Sequence, residues 1–119
     1  MNVLIAEDDF LCQSLFERYM RKLGWNHTMV ANGRLAVNEC IAGDYDVILM
    51  DIHMPVLDGI EATKRIRTVN KVIPIIAISA VADKDKMKKC TEAGMNSYIE
   101  LPTSHEKIRD VIDRCFNKN

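Results

Sequence analysis

Five short apolar runs alternate with five longer amphipathic segments along this chain. Val3–Ala6, Val47–Met50 and Ile75–Ile78 are apolar at every position, as strands covered on both faces should be. His27–Val30 and the shorter Tyr98-Ile99 complete the set of strands. Between them, apolar residues recur at helical spacing. Leu11, Leu15, Tyr19 and Leu23 lie one turn apart before Gly24, and Leu35, Val37, Cys40 and Ile41 fall between Asn32-Gly33 and Gly43. Ala62, Ile66 and Val69 form a third stripe, and Ile108, Val111, Ile112 and Cys115 a fourth. These stripes are the expected buried faces. Asp9, Asn32 and Asp83 supply starts, Thr103-x-x-Glu106 reads as a capping box, and Gly24, Gly43 and Gly94 supply stops. Pro74 opens the fourth strand, where a missing N–H costs little.

Single helices between successive strands make right-handed crossovers and one parallel sheet. The pattern therefore predicts a single three-layer α/β domain over residues 1–119, doubly wound and five-stranded. Periodicity does not reveal the strand order.

Composition narrows the function classes. With 48% hydrophobic and 28% charged residues the chain reads as globular, and its net charge of −1 offers no basic surface for nucleic acid or anionic lipid. No apolar stretch approaches the ~20 residues of a membrane span, and Met1 runs almost directly into a strand, so neither membrane span nor signal peptide is expected. The four cysteines stand far apart without CxxC or Cys/His clusters. They are expected to pack on helices in a reducing cytoplasm.

The chemistry lies where the strands end. Asp51 closes the third strand, and Glu7 and Asp8 close the first. In an open parallel sheet these endings share one rim, where ligands bind. Grouped carboxylates repel, so without a cation at least one pKa should rise. Few ligands, all oxygen, on a water-exposed rim suit Mg²⁺. Asp9 is left as a helix cap. Ser79 ends the fourth strand and joins the rim, where its hydroxyl could bond a phosphoryl oxygen on Asp51. Read from residues alone, Tyr98 is a half-buried core aromatic. His53 reads as a solvated loop group, since His27 and His105 belong to other elements, and Lys84, Lys86, Lys88 and Lys89 form the wet face of a helix.

The ordered set Glu7-Asp8, Asp51-Ile52-His53-Met54-Pro55, Asp58-Gly59 and Pro74-Ile75-Ile76-Ala77-Ile78-Ser79-Ala80 resembles the receiver domain of two-component response regulators over essentially the whole length. Gly59–Arg67 looks most like receivers attached to hybrid histidine kinases. The resemblance implies a flavodoxin-like sheet of order 2-1-3-4-5. It makes Asp51 the phosphoryl acceptor, supplied by a phosphohistidine on a histidine kinase or histidine phosphotransfer protein. Asp8 and Asp51, with the backbone carbonyl of His53, would hold Mg²⁺, and Glu7 would act mainly through water. Ser79 becomes the hydroxyl that turns towards the phosphoryl group and Tyr98 the aromatic that moves inward with it. The last two helices and last strand would form the partner or homodimer face. Leu101 stands where the family has a lysine before proline, and the resemblance implies a cis Leu101–Pro102 bond. Losing that charge-assisted partner is worth roughly 1.5–3 kcal/mol.

Three other readings compete. Leu101 favours a degenerate receiver that binds partners independently of phosphate. An aspartate-nucleophile phosphohydrolase wants a second acid where His53 stands. A flavin or nucleotide site needs a glycine-rich turn after the first strand, where Glu7-Asp8-Asp9 would instead repel phosphate.

Overall fold

The computed structural model describes residues 1–81 and 83–117. The apolar runs form strands β1 (Asn2–Ala6), β2 (Asn26–Val30), β3 (Val47–Asp51), β4 (Ile75–Ser79) and β5 (Ser97–Glu100). The intervening helices are α1 (Phe10–Leu23), α2 (Gly33–Ala42), α3 (Gly59–Arg67), α4 (Lys84–Ala93) and α5 (His105–Phe116). All strand pairs are parallel, in the order β2-β1-β3-β4-β5. This is the doubly wound flavodoxin-like architecture that the resemblance implies.

Side-chain alternation along the strands divides the core in two. Val3, Ile5, Val47, Leu49, Ile76 and Ile78 face Phe16 and Met20 of α1 and Ile108 and Ile112 of α5. Leu4, Ala6, Ile48, Met50, Ile75 and Ala77 face Ala36, Ala62, Ile66 and Cys90 of the other three helices. Asp9, Asn32, Asp58 and Asp83 cap α1 to α4, each accepting a hydrogen bond from an N–H in the first turn. Gly24 and Gly94 close α1 and α4 with φ of 71° and 111°, a left-handed conformation suited to glycine.

Two expectations are corrected. Thr103 does not cap α5: Ser104 does, because its extended backbone sets the hydroxyl 3.2 Å from the Lys107 N–H. Thr103 instead leaves a buried, unpartnered Oγ1, and Glu106 lies beside His105. Several predicted stripe residues are also exposed, among them Leu11, Leu15, Leu35, Ile41 and Val69. A helix laid on a sheet buries a narrow line of contact. In α1 that line runs through Phe16 and Met20, one position beyond Leu15 and Tyr19.

Candidate functional site

β1 and β3 are neighbours, with Ala6 opposite Met50, so the acids that follow them converge. One carboxylate oxygen from each of Glu7, Asp8 and Asp51 can be chosen so that all lie within 4.8 Å of one another. Glu7 is buried at 3% exposure, Asp51 is half-buried and Asp8 is exposed. The Glu7 N–H donates to the Val30 carbonyl (3.0 Å), its Oε2 accepts the Asp9 N–H (3.0 Å), and Gln13 Nε2 donates to its carbonyl (2.6 Å). Its carboxyl is thus held at the end of the sheet.

Burial dominates the electrostatics of this group. It pushes the Glu7 pKa up to about 8; the Asp9 N–H opposes this, and the charges of Asp51 and Asp8 add to it. Burial also raises Asp51, while a hydrogen bond from Glu7 and the His53 N–H favour its charged form. Burial thus favours the neutral form of Glu7 beside the Asp51 carboxyl. The expected pKa rise therefore falls chiefly on Glu7.

The loop after Asp51 is held by close backbone packing. The Gly59 N–H donates to Ile52 O (3.0 Å), and a Cβ on Gly59 would stand 2.0 Å from Asp51 O. The Gly33 N–H donates to Leu57 O (3.0 Å), and a Cβ there would lie 2.2 Å from the same atom. Between these fixed points the Leu57 N–H bonds to Pro55 O (2.8 Å) across Val56, whose φ is 71°. That is a strained three-residue γ-turn at a β-branched residue. The His53 N–H reaches Asp51 Oδ1 at 3.3 Å, and the residue itself is exposed.

Ser79 and Tyr98 meet, but not on Asp51. Ser79 is buried; its Oγ donates to Val81 O (3.0 Å) and accepts from the Val81 N–H (3.2 Å). The Tyr98 hydroxyl donates to the same Val81 carbonyl at 3.0 Å. Tyr98 is half-buried, as the residue-level reading holds. The Val81 backbone was missed in the sequence because any residue type can offer that carbonyl. Leu101 packs against the α1/α5 side of the core and donates its N–H to Ser79 O (2.9 Å). With Leu15, Phe16, Tyr19 and Pro102 it lines an apolar cleft of about 370 Å³. The Leu101–Pro102 bond is cis. Among the described residues no salt bridge reaches the three acids.

Cys90 is buried and Cys12, Cys40 and Cys115 are half-buried, each on a helix. Among the described residues no helix is long and apolar enough to cross a membrane.

Residues 3–113 match the response regulator receiver domain. The chain is 33% identical to two-component response regulator 24 of Arabidopsis thaliana, over 96% of its own length and 83% of that protein. It is 37% identical to hybrid signal transduction histidine kinase I of Dictyostelium discoideum, over 93% of its own length but 7% of that protein. Among solved structures it resembles the receiver domain of the Pseudomonas aeruginosa sensor histidine kinase PA1611, which has a magnesium ion coordinated in the active site cleft. The identity there is 36%, 98% of each chain is covered and the TM-score is 0.91. A chain of the CheX–CheY–BeF3–Mg complex from Borrelia burgdorferi is 27% identical, with 99% of this chain and 90% of that one covered, at a TM-score of 0.92.

Proposed function

This chain belongs to the response regulator receiver family, a family of signalling domains rather than classical enzymes, and we propose that within it Asp51 accepts a phosphoryl group from a phosphohistidine. The observation that carries the proposal is the convergence of buried Glu7, half-buried Asp51 and exposed Asp8. An Asp51 oxygen attacks phosphorus, the P–N bond breaks, and the imidazole departs with the electron pair, leaving an acyl phosphate. The donor is a histidine kinase or a histidine phosphotransfer protein. The face formed by α4, β5 and α5 then passes the change to a downstream partner or a second copy, in the cytoplasm.

The donor set fits Mg²⁺: three carboxylates, an open side at Asp8, and no soft ligand. Asp8, Asp51 and the His53 carbonyl would hold it directly and Glu7 through water, and it would supply the positive charge that lets an anionic donor approach. The presence of magnesium in the Pseudomonas receiver supports this choice. Glu7 has a separate task. Its burial beside Asp51 favours its neutral form without a cation, and an ion held at Asp8 and Asp51 would favour its ionised form. Ser79 must give up Val81 before it can serve a phosphoryl oxygen.

Leu101 favours a second reading, a degenerate receiver whose partner binding is independent of phosphate. Its side chain lies against the core, in the place where the family has a cation. Beryllofluoride titration, followed by amide shifts with and without Mg²⁺, separates the two. Saturable Mg²⁺-dependent shifts at Ser79 and Tyr98, absent in Asp51→Asn, support phosphoacceptance; their absence from the natural protein supports the degenerate reading.

A further inference from the structure

The geometry points to α4 as a helix pinned at one end: Arg67 fastens its C-terminal end, while its N-terminal half is held to the body through the backbone of Val81. The first six residues of α4, Lys84 to Lys89, include none that is buried; the buried residues, Cys90 and Ala93, both lie in the final turn and a half. By contrast α3 buries residues along its length, from Gly59 to Ile66.

The pinned end is dense with bonds. Arg67 Nε donates to Gly94 O (3.0 Å), Nη1 to Asn70 O (3.1 Å) and Nη2 to Asn96 Oδ1 (2.8 Å). Asn96 also exchanges hydrogen bonds with Ile75 of β4, through its Oδ1 (2.9 Å) and its N–H (2.8 Å). One guanidinium thus ties the closing residue of α4 to the end of α3 and to the sheet, with its charge set at the negative end of both helices. The contact is close: a Cβ on Gly94 would stand 2.8 Å from Arg67 Cγ.

The other end is attached differently. Before α4 the described side-chain bonds to the body are those of Ser79 and Tyr98, whose hydroxyls share the Val81 carbonyl. Open grooves flank the helix. One of about 340 Å³ lies towards β5, lined by Met87, Thr91 and Tyr98; another of about 520 Å³ lies towards α3, lined by Glu61, Lys64 and Lys89. These grooves run along the middle of the helix, and the N-terminal half carries no buried residue, the condition for low local stability. Arg67 is a positioning residue that keeps this motion a swing about a fixed end. The consequence for signalling rests on the phosphoacceptor reading: drawing the Ser79 hydroxyl to Asp51 removes one of the two donors at Val81 and leaves Tyr98 to set the helix.

The hinge itself is tested without Mg²⁺ or phosphodonor, so the result is independent of whether Asp51 is phosphorylated. Native-state amide exchange is measured on the full chain. The amides of Met87, Lys88 and Lys89 should exchange at least ~10-fold faster than those of Glu92, Ala93 and Met95. Arg67→Met keeps the apolar stem and should speed exchange at residues 92–95 by ~10-fold or more, while 87–89 change by less than ~3-fold. The double variant Ser79→Ala/Tyr98→Phe should do the reverse. Amides of Ile5 and Met20 serve as the global reference. Equal protection along natural α4, or either variant opening both ends together, overturns the proposal. If Arg67→Met does not fold, the natural gradient and the double variant still decide.

Discussion

Around Asp51 the backbone is fastened on several sides, whereas the segment that follows Ser79 leads into a helix buried only near its far end. The first region has Glu7 at 3% exposure, two glycines in contact with carbonyl oxygens, and a loop tied at Ile52 and Leu57. The second has a half-buried Tyr98, an exposed Val81 and a lysine-rich helix with open grooves on either side. The difference separates two jobs. Phosphoryl chemistry needs a preorganised acceptor, whereas a response needs an element with more than one arrangement of similar free energy.

The largest loss is expected on the fastened side. Gly59→Ala places a methyl group 2.0 Å from Asp51 O, against backbone that cannot yield. A loss of about 4 kcal/mol is expected in urea unfolding. Gly24→Ala, with open space but φ of 71°, should cost about 1 kcal/mol. Similar costs for the two would show that the Asp51 loop gives way more easily than the packing implies.

Next in size is the proton on Glu7. Its folded pKa of about 8 lies above the usual 4.5, so across that window the folded chain holds a proton that the unfolded chain releases. Stability without metal should therefore fall as pH rises from 5 to 8, by a few kcal/mol in all. Glu7→Gln should flatten the slope, and Mg²⁺ should recover the loss at pH 8. Identical pH profiles for the natural protein and Glu7→Gln, measured by urea unfolding in chelator, would place the shared proton elsewhere.

Leu101→Lys acts on the responding side. Three acids around one Mg²⁺ leave about one excess negative charge before phosphate arrives, and an ammonium supplies both charge and donors. Beryllofluoride affinity should rise at least ~10-fold, read from the amide shifts of Tyr98. Equal affinity would mean that another cation, with Lys84 the nearest in sequence to Ser79, already fills the role.

The smallest effect concerns the γ-turn. Val56→Gly removes the Cβ strained at φ of 71° and should stabilise the chain by about 0.5–1 kcal/mol in thermal unfolding. No change would show that the exposed valine side chain contributes something that glycine does not.

Much of this was legible in the residues. The all-apolar runs at Val3, Val47 and Ile75 located β1, β3 and β4 to within a residue, because strands covered on both faces admit no polar position. The acids that follow two of them identified the rim and led to the expectation of a raised pKa, although burial rather than their mutual repulsion is its larger cause. What escaped was whatever depends on contact across the fold. The buried line of α1 falls on Phe16 and Met20 because of where the sheet lies, which the spacing of Leu11 and Leu15 does not encode. Ser104 rather than Thr103 caps α5 because the backbone turns one residue later. The meeting of Ser79 and Tyr98 on the Val81 carbonyl, and the grip of Arg67 on Gly94, use backbone acceptors that carry no residue signature.

The central claim is that Asp51 accepts the phosphoryl group and that the acid rim needs a divalent cation to let it do so. Incubating the chain with a small phosphodonor and reading the intact mass tests this most directly. One added phosphate is expected on the natural protein in Mg²⁺, none on Asp51→Asn, and none on either in excess chelator. Equal labelling of Asp51→Asn, or of the natural protein without a divalent ion, would contradict it.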